Sequence, residues 1–144
     1  RSKPLPVFVK DLKMAKELAE VDKKQAKVLK KYWPGKYTFI LKRKSMRPGL
    51  VGKYNKVYGV DKRTIAIRIP KYKFLNDLLK KINKPLVQTS VNLSGEPPLT
   101  KIKDIINEVG RTGLPMLIID GGDIKEAKPS KVIDLTSQHL TRLR

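Results

Sequence analysis

An α/β domain with a mixed sheet is predicted by three observations. Two short runs, YTFILKR (37–43) and TIAIRIP (64–70), alternate side chains as strands do. Other segments, over 11–21, 22–32, 72–82 and 100–110, space their apolar residues as amphipathic helices do. Strands and helices alternate irregularly, with no internal repeat and no low-complexity segment, which fits a mixed sheet.

Along the chain, PLPVFV opens as a short β-rich run. Asp11 is placed to cap a first helix whose inner face is Leu12, Ala15, Leu18 and Ala19. A second helix from Asp22 to Tyr32 turns Ala26, Val28 and Leu29 inward and Lys23, Lys24, Lys27, Lys30 and Lys31 outward. WPGK stops it and leads into the strand YTFILKR. From Lys44 to Lys62 the pattern dissolves into a long connection, with a short strand around Val57 to Val60. TIAIRIP is a strand closed by Pro70, and Tyr72 to Ile82 reads as a helix through Phe74, Leu75, Leu78 and Leu79. LVQTS is a strand ending in hydrogen-bonding side chains. TKIKDIINEVG is a helix with Thr100 as its cap and Gly110 as its stop. LPMLIIDGG reads as a buried strand ending in a turn, and SKVIDLT and HLTRLR as two last strands.

A chain of 144 residues, 40% hydrophobic, is the size of one domain with a core of its own. It has no cysteine, so disulfides, thiolate metal sites and cysteine nucleophiles are excluded, and a reducing, cytoplasmic setting is expected. No apolar run approaches the ~20 residues of a membrane helix, so no membrane partner is expected. The formal net charge of +20 favours polyanions such as RNA or nucleotide phosphates. The same lysines could equally be spread over solvated faces.

Little of the usual catalytic chemistry is present. His139, the one histidine, has no triad around it, and the thirteen acidic residues contain no pair at metal-ligand spacing. Asp120 and Asp123 in DGGD read as turn residues. No Walker-type loop or dinucleotide fingerprint occurs. Two features stand out. Arg68 lies in a strand that otherwise reads as core: it either faces solvent with Ala66 or meets an anion. Thr89, Ser90 and Asn92 gather at a strand end, as turn formers or as donors to a ligand.

In order, YWPGKYTFIL, TIAIRIP, PLVQTSVNLSGEPP, LIIDGG and SKVIDL resemble the motifs of the YrdC-like family, the threonylcarbamoyl-AMP synthases. The resemblance covers nearly all of Leu5 to Arg144, and the Ser-x-Asn of Ser90 to Asn92 is a hallmark of the family. It implies a single domain over 1–144, a twisted mixed sheet flanked by helices with a large, basic, concave cleft. It also implies a nucleotidyltransferase that condenses L-threonine, bicarbonate and ATP, with Mg²⁺, into threonylcarbamoyl-adenylate and pyrophosphate. The product would go to a downstream threonylcarbamoyl transferase complex that modifies adenosine in tRNA.

The resemblance also assigns roles. Arg68, Ser90 and Asn92 would be catalytic; Arg68, Gln88 and Ser130 would bind threonine, with Arg68 clamping its carboxylate. Thr64, Ser90, Asn92, Pro98 and Arg144 would bind the nucleotide, and no protein metal ligand is expected. Catalysis would be positioning and charge neutralisation as a threonine carbamate attacks the α-phosphorus. The chain departs from the pattern at Lys131, where Thr is usual, and the glycine expected after the last arginine falls beyond Arg144. The family's early Thr-x-x-Tyr-Gly and Lys-x-Arg motifs would precede Arg1, so an N-terminal portion is expected to be absent. The competing reading is a non-catalytic module binding duplex RNA or tRNA in the same cleft. With aromatics at 6% and no stacking platform, duplex is expected over single strands.

Overall fold

The computed structural model describes residues 5–44, 63–92, 95–112, 117–123, 128–137 and 141–142. They fall into two compact units, Arg1–Gln88 with Pro129–Arg144, and Thr89–Lys128. The first unit contains β1 (Val7–Phe8), α1 (Leu12–Leu18), α2 (Lys23–Tyr32), β2 (Tyr37–Lys42), β3 (Thr64–Arg68), α3 (Lys73–Ile82) and β4 (Leu86–Val87). The second holds α4 (Ile102–Thr112), and the chain returns to the first for β5 (Lys131–Asp134) and β6 (Thr141–Arg142).

The sheet has the order β4-β1-β3-β2-β5-β6. It is mixed, as predicted: β1 runs parallel to β3 and β2 parallel to β5, while the β1–β4, β2–β3 and β5–β6 pairs are antiparallel. Alternation decides which face is covered. Val7, Phe39, Leu41, Ile65 and Ile67 turn to one side and join Met14, Ala15 and Leu18 of α1 and Leu29 of α2 in one buried cluster.

The cap expected at Asp11 forms, and a second, not anticipated from the sequence, opens α2. Asp11 accepts the Met14 amide at 2.7 Å, and Asp22 completes a capping box in which its carboxylate takes the Gln25 amide at 2.7 Å and Gln25 returns to the Asp22 amide at 2.9 Å. After α2, Trp33 packs edge-on against Phe39 with ring centroids 5.5 Å apart, and its Nε1 donates to Tyr37 O at 2.9 Å. The aromatics thus fix the turn between α2 and β2.

Three expectations change. Leu117–Asp120 is not a buried strand: it carries no ladder, and Leu117 is 73% exposed. Apolar composition does not make a strand without a neighbour offering hydrogen bonds. Thr100 does not begin α4 and Gly110 does not end it. Lys101 O accepts the Ile105 amide, and the Ile102 amide donates to Asp123 Oδ1 at 3.2 Å, so a carboxylate from 21 residues away serves this helix end. Asp120 makes the expected turn, accepting the Gly122 amide at 2.7 Å. The strand predicted around Val57 to Val60, and His139, lie outside the described residues. No helix among the described residues is long and apolar enough to cross a membrane.

Candidate functional site

The sheet face turned away from the buried cluster carries the residues of opposite parity. On β3 these are Thr64, Ala66 and Arg68, all partly exposed, between Ile65, Ile67 and Ile69, which are buried. Phe8 lies beside Arg68 in register on β1 and Leu86 beside Phe8 on β4. Gln88 keeps the parity of Leu86, and its amide donates to Pro6 O at 3.0 Å, carrying the edge one step further. Thr38 on β2 and Val132 on β5 form the next register pair, with Ser130 two residues before Val132.

Arg68 is held in a defined pose. Its Nε donates to Gly35 O at 2.9 Å, and its guanidinium carbon lies 5.8 Å from the centre of the Phe8 ring. No carboxylate among the described residues comes within 4.0 Å of it. Burial pushes its pKa down from the usual guanidinium value, yet arginine keeps its charge in proteins. A half-buried cation with its Nε tied to a carbonyl keeps its terminal amino groups for a planar anion.

Gly35 makes that pose possible. Its amide donates to Ile69 O at 3.0 Å while its carbonyl accepts from Arg68, so the turn after α2 is stitched to β3 at two consecutive residues. A Cβ here would lie 2.4 Å from Tyr32 O.

Beside Arg68 the structure places a residue that the sequence did not single out. Thr38 is the one buried polar side chain among the described residues, 1% exposed, with its Oγ1 3.0 Å from Ser130 Oγ. Thr38 and Arg68 are the neighbours, on their two strands, of the Phe39–Ile67 pair. Its signal was a threonine in YTFILK at the parity opposite to Phe39 and Leu41; its partner stands 92 residues away. Replacing Thr38 by valine removes one hydrogen bond and is expected to cost about 1 kcal/mol, or about 3 °C in a thermal melt. Thr38→Ser should keep most of it; equal melting of wild type and Thr38→Val would show the hydroxyl pair to be inert.

The predicted residues therefore divide. Arg68 and Thr64 share one sheet face, Ser130 is tied to it through Thr38, and Gln88 is bonded to the sheet edge through Pro6. Thr64 stands opposite Lys42, four residues and so about 13 Å along β3 from Arg68, which separates two ends of one surface. Ser90, Asn92 and Pro98 belong to the second unit. There Ser90 and Pro98 are exposed, Asn92 Nδ2 donates to Glu96 O at 2.8 Å, and the Leu99 amide donates to Val91 O at 2.9 Å. That loop turns through Gly95 at φ 98°, a conformation glycine adopts without strain. Arg144 lies outside the described residues. Among the described residues no group of three or more acidic or histidine side chains could hold a metal ion.

A family model for Sua5, YciO and YrdC proteins, described as "Telomere recombination", matches residues 1–144. A putative threonylcarbamoyl-AMP synthase of Methanocaldococcus jannaschii is 32% identical over 143 residues, which are 99% of this chain and 62% of that protein. The threonylcarbamoyl-AMP synthase of Pyrococcus abyssi is 29% identical over 92% of this chain and 37% of its own length. The chain thus spans between about a third and two thirds of these relatives. Among solved structures, P. abyssi Sua5 complexed with L-threonine superposes with a TM-score of 0.79 at 27% identity, over 99% of this chain and 40% of that one. E. coli YciO superposes with a TM-score of 0.78 at 28% identity, over 99% of this chain and 66% of that one.

Proposed function

Because the chain belongs to the Sua5/YciO/YrdC family, we propose that its sheet face makes threonylcarbamoyl-adenylate from L-threonine, bicarbonate and ATP with release of pyrophosphate, in the service of tRNA modification. The observation that carries this is Arg68: a half-buried guanidinium, oriented through its Nε, with no carboxylate within 4.0 Å among the described residues. Such a group calls for an anion from outside, and a threonine carboxylate fits its fork in two parallel hydrogen bonds. The relative with L-threonine bound supports the same substrate.

In this reading Arg68 fixes the carboxylate, and the Thr38–Ser130 hydroxyl pair and Gln88 flank the amino acid. Thr64, about 13 Å along β3, meets the nucleotide; for Ser90, Asn92, Pro98 and Arg144 that role rests on the family resemblance alone. The carbamate oxygen attacks the α-phosphorus, the bond to the β,γ-pyrophosphate breaks, and the donors stabilise the charge that develops. Mg²⁺, bound through ATP oxygens, would neutralise the triphosphate. Arg68 and the hydroxyls hold and orient; once the carbamate exists no proton need leave the nucleophile.

The test is pyrophosphate release from ATP by the chain, with and without threonine and bicarbonate. Release that requires both is the expected result. Release indifferent to threonine would replace this reading with simple nucleotide hydrolysis.

A further inference from the structure

The β-carbon of L-threonine carries two different groups, a methyl and a hydroxyl, and the strands on the two sides of Arg68 differ in the same way. On β1, Phe8 is partly exposed and stands in register with Arg68, its ring centre 5.8 Å from the guanidinium carbon, and Leu86 of β4 stands in register beyond it. That flank is apolar. On β2, the register one step past the Phe39–Ile67 pair sets Thr38 opposite Arg68, and Thr38 Oγ1 lies 3.0 Å from Ser130 Oγ. That flank is hydroxylic. Neighbouring strands stand about 4.8 Å apart, so the two flanks are roughly 10 Å from each other with Arg68 between them.

Burial sets the direction of the hydroxyl bond. Thr38 is 1% exposed and Ser130 partly exposed, and among the described residues Ser130 Oγ is the one hydrogen-bond partner of Thr38 Oγ1. A buried donor is seldom left without an acceptor. Thr38 therefore donates to Ser130, and the Ser130 proton is left for a group outside the sheet. Too buried to touch a substrate, Thr38 acts through Ser130 as a positioning residue.

Resting on the assignment of this face to threonine, we propose that the two flanks read the two branches of its side chain: Phe8 packs against the methyl, and Ser130, oriented by Thr38, donates to the hydroxyl. The carboxylate on Arg68 fixes the third point of attachment. Serine lacks the methyl, and valine sets a methyl where a hydroxyl is read. L-allo-threonine, with the opposite configuration at the β-carbon, cannot present both groups to their flanks at once.

The experiment compares kcat/KM for pyrophosphate release with L-threonine, L-serine, L-valine and L-allo-threonine in wild type, Phe8→Ala and Thr38→Val. Wild type should prefer threonine to each of the others by about tenfold or more, the usual worth of one methyl in an apolar contact or of one donor left unpaired. Phe8→Ala should lower the threonine-over-serine ratio by about tenfold and leave threonine over valine unchanged. Thr38→Val should do the reverse, and Thr38→Ser should restore the wild-type pattern. Loss of Phe8 also loosens the guanidinium, but that weakens every amino acid alike, so the ratios isolate the contact to the methyl. A thermal melt checks folding; Phe8→Val serves if the alanine variant is unfolded, with a fall of about threefold expected. Ratios that fall together, or stay fixed while every amino acid weakens, would overturn the inference and leave the adenylation reading standing. Equal use of threonine and L-allo-threonine by wild type would overturn it too. If wild type releases no pyrophosphate with any amino acid, the adenylation reading fails, and the same ratios are taken from competition with labelled threonine in equilibrium dialysis; absence of threonine binding there would overturn this inference as well.

Discussion

Replacing Arg68 by alanine is expected to lower threonine-dependent pyrophosphate release by about 100-fold or more in kcat/KM. The magnitude follows from what is removed: a charge-assisted, two-bond contact to a carboxylate in a half-buried position, of order 2–3 kcal/mol where solvent is partly excluded, or about 30- to 150-fold. Loss of orientation at the attacking carbamate adds to it. Arg68→Lys should recover little, because a lysine cannot reproduce the Nε bond to Gly35 O and the planar fork together. The readouts that separate a site role from a structural one are the threonine KM, which should rise, and nucleotide affinity and the thermal melt, which should move little. Retained turnover at saturating threonine with an unchanged KM would remove Arg68 from the site.

What the sequence revealed and what it hid follows the range of the interactions. Asp11 was legible as a cap because the amide it accepts lies three residues on, and the equally local capping box of Asp22 and Gln25 was passed over. The alternation in TIAIRIP disclosed both the strand and the oddity of Arg68 within it, since the parity of one short run decides which side chains share a face. Thr38 was hidden, because a threonine is ordinary in a strand and only its Ser130 partner makes it distinctive. Asp123 at the start of α4 was hidden for the same reason, while Thr100, close in sequence, suggested a cap it does not supply. Leu117 to Ile119 misled in the other direction: a local apolar run promised a strand, and strand formation needs a partner that no local pattern encodes. Family resemblance brought Gln88, Ser130 and Thr64 forward; sheet register sets Thr64 on the Arg68 face, while Ser130 is held through Thr38 and Gln88 through Pro6.

Gly35→Ala is expected to be among the most destabilising single substitutions in the first unit, by about 3 kcal/mol, or about 10 °C in a thermal melt. The cause is contact: the added Cβ would lie 2.4 Å from Tyr32 O, a backbone atom at the end of α2 that a rotamer change cannot move. Relief therefore requires the turn to shift. Moving it strains two bonds to β3, the amide bond to Ile69 O at 3.0 Å and the Gly35 carbonyl that accepts from Arg68 Nε at 2.9 Å. Stability and substrate binding should fall together, with the threonine KM rising even where the variant remains folded at low temperature. Gly110→Ala supplies the contrast, because that glycine lies inside α4 with nothing within 4 Å of where an alanine methyl would stand, and alanine is the better helix former by about 1 kcal/mol. It should melt no lower than wild type and leave turnover unchanged. If Gly35→Ala melted with wild type and kept its threonine KM, the turn would not be what holds Arg68 in place, and the guanidinium pose would have to rest on Phe8 and the strand alone.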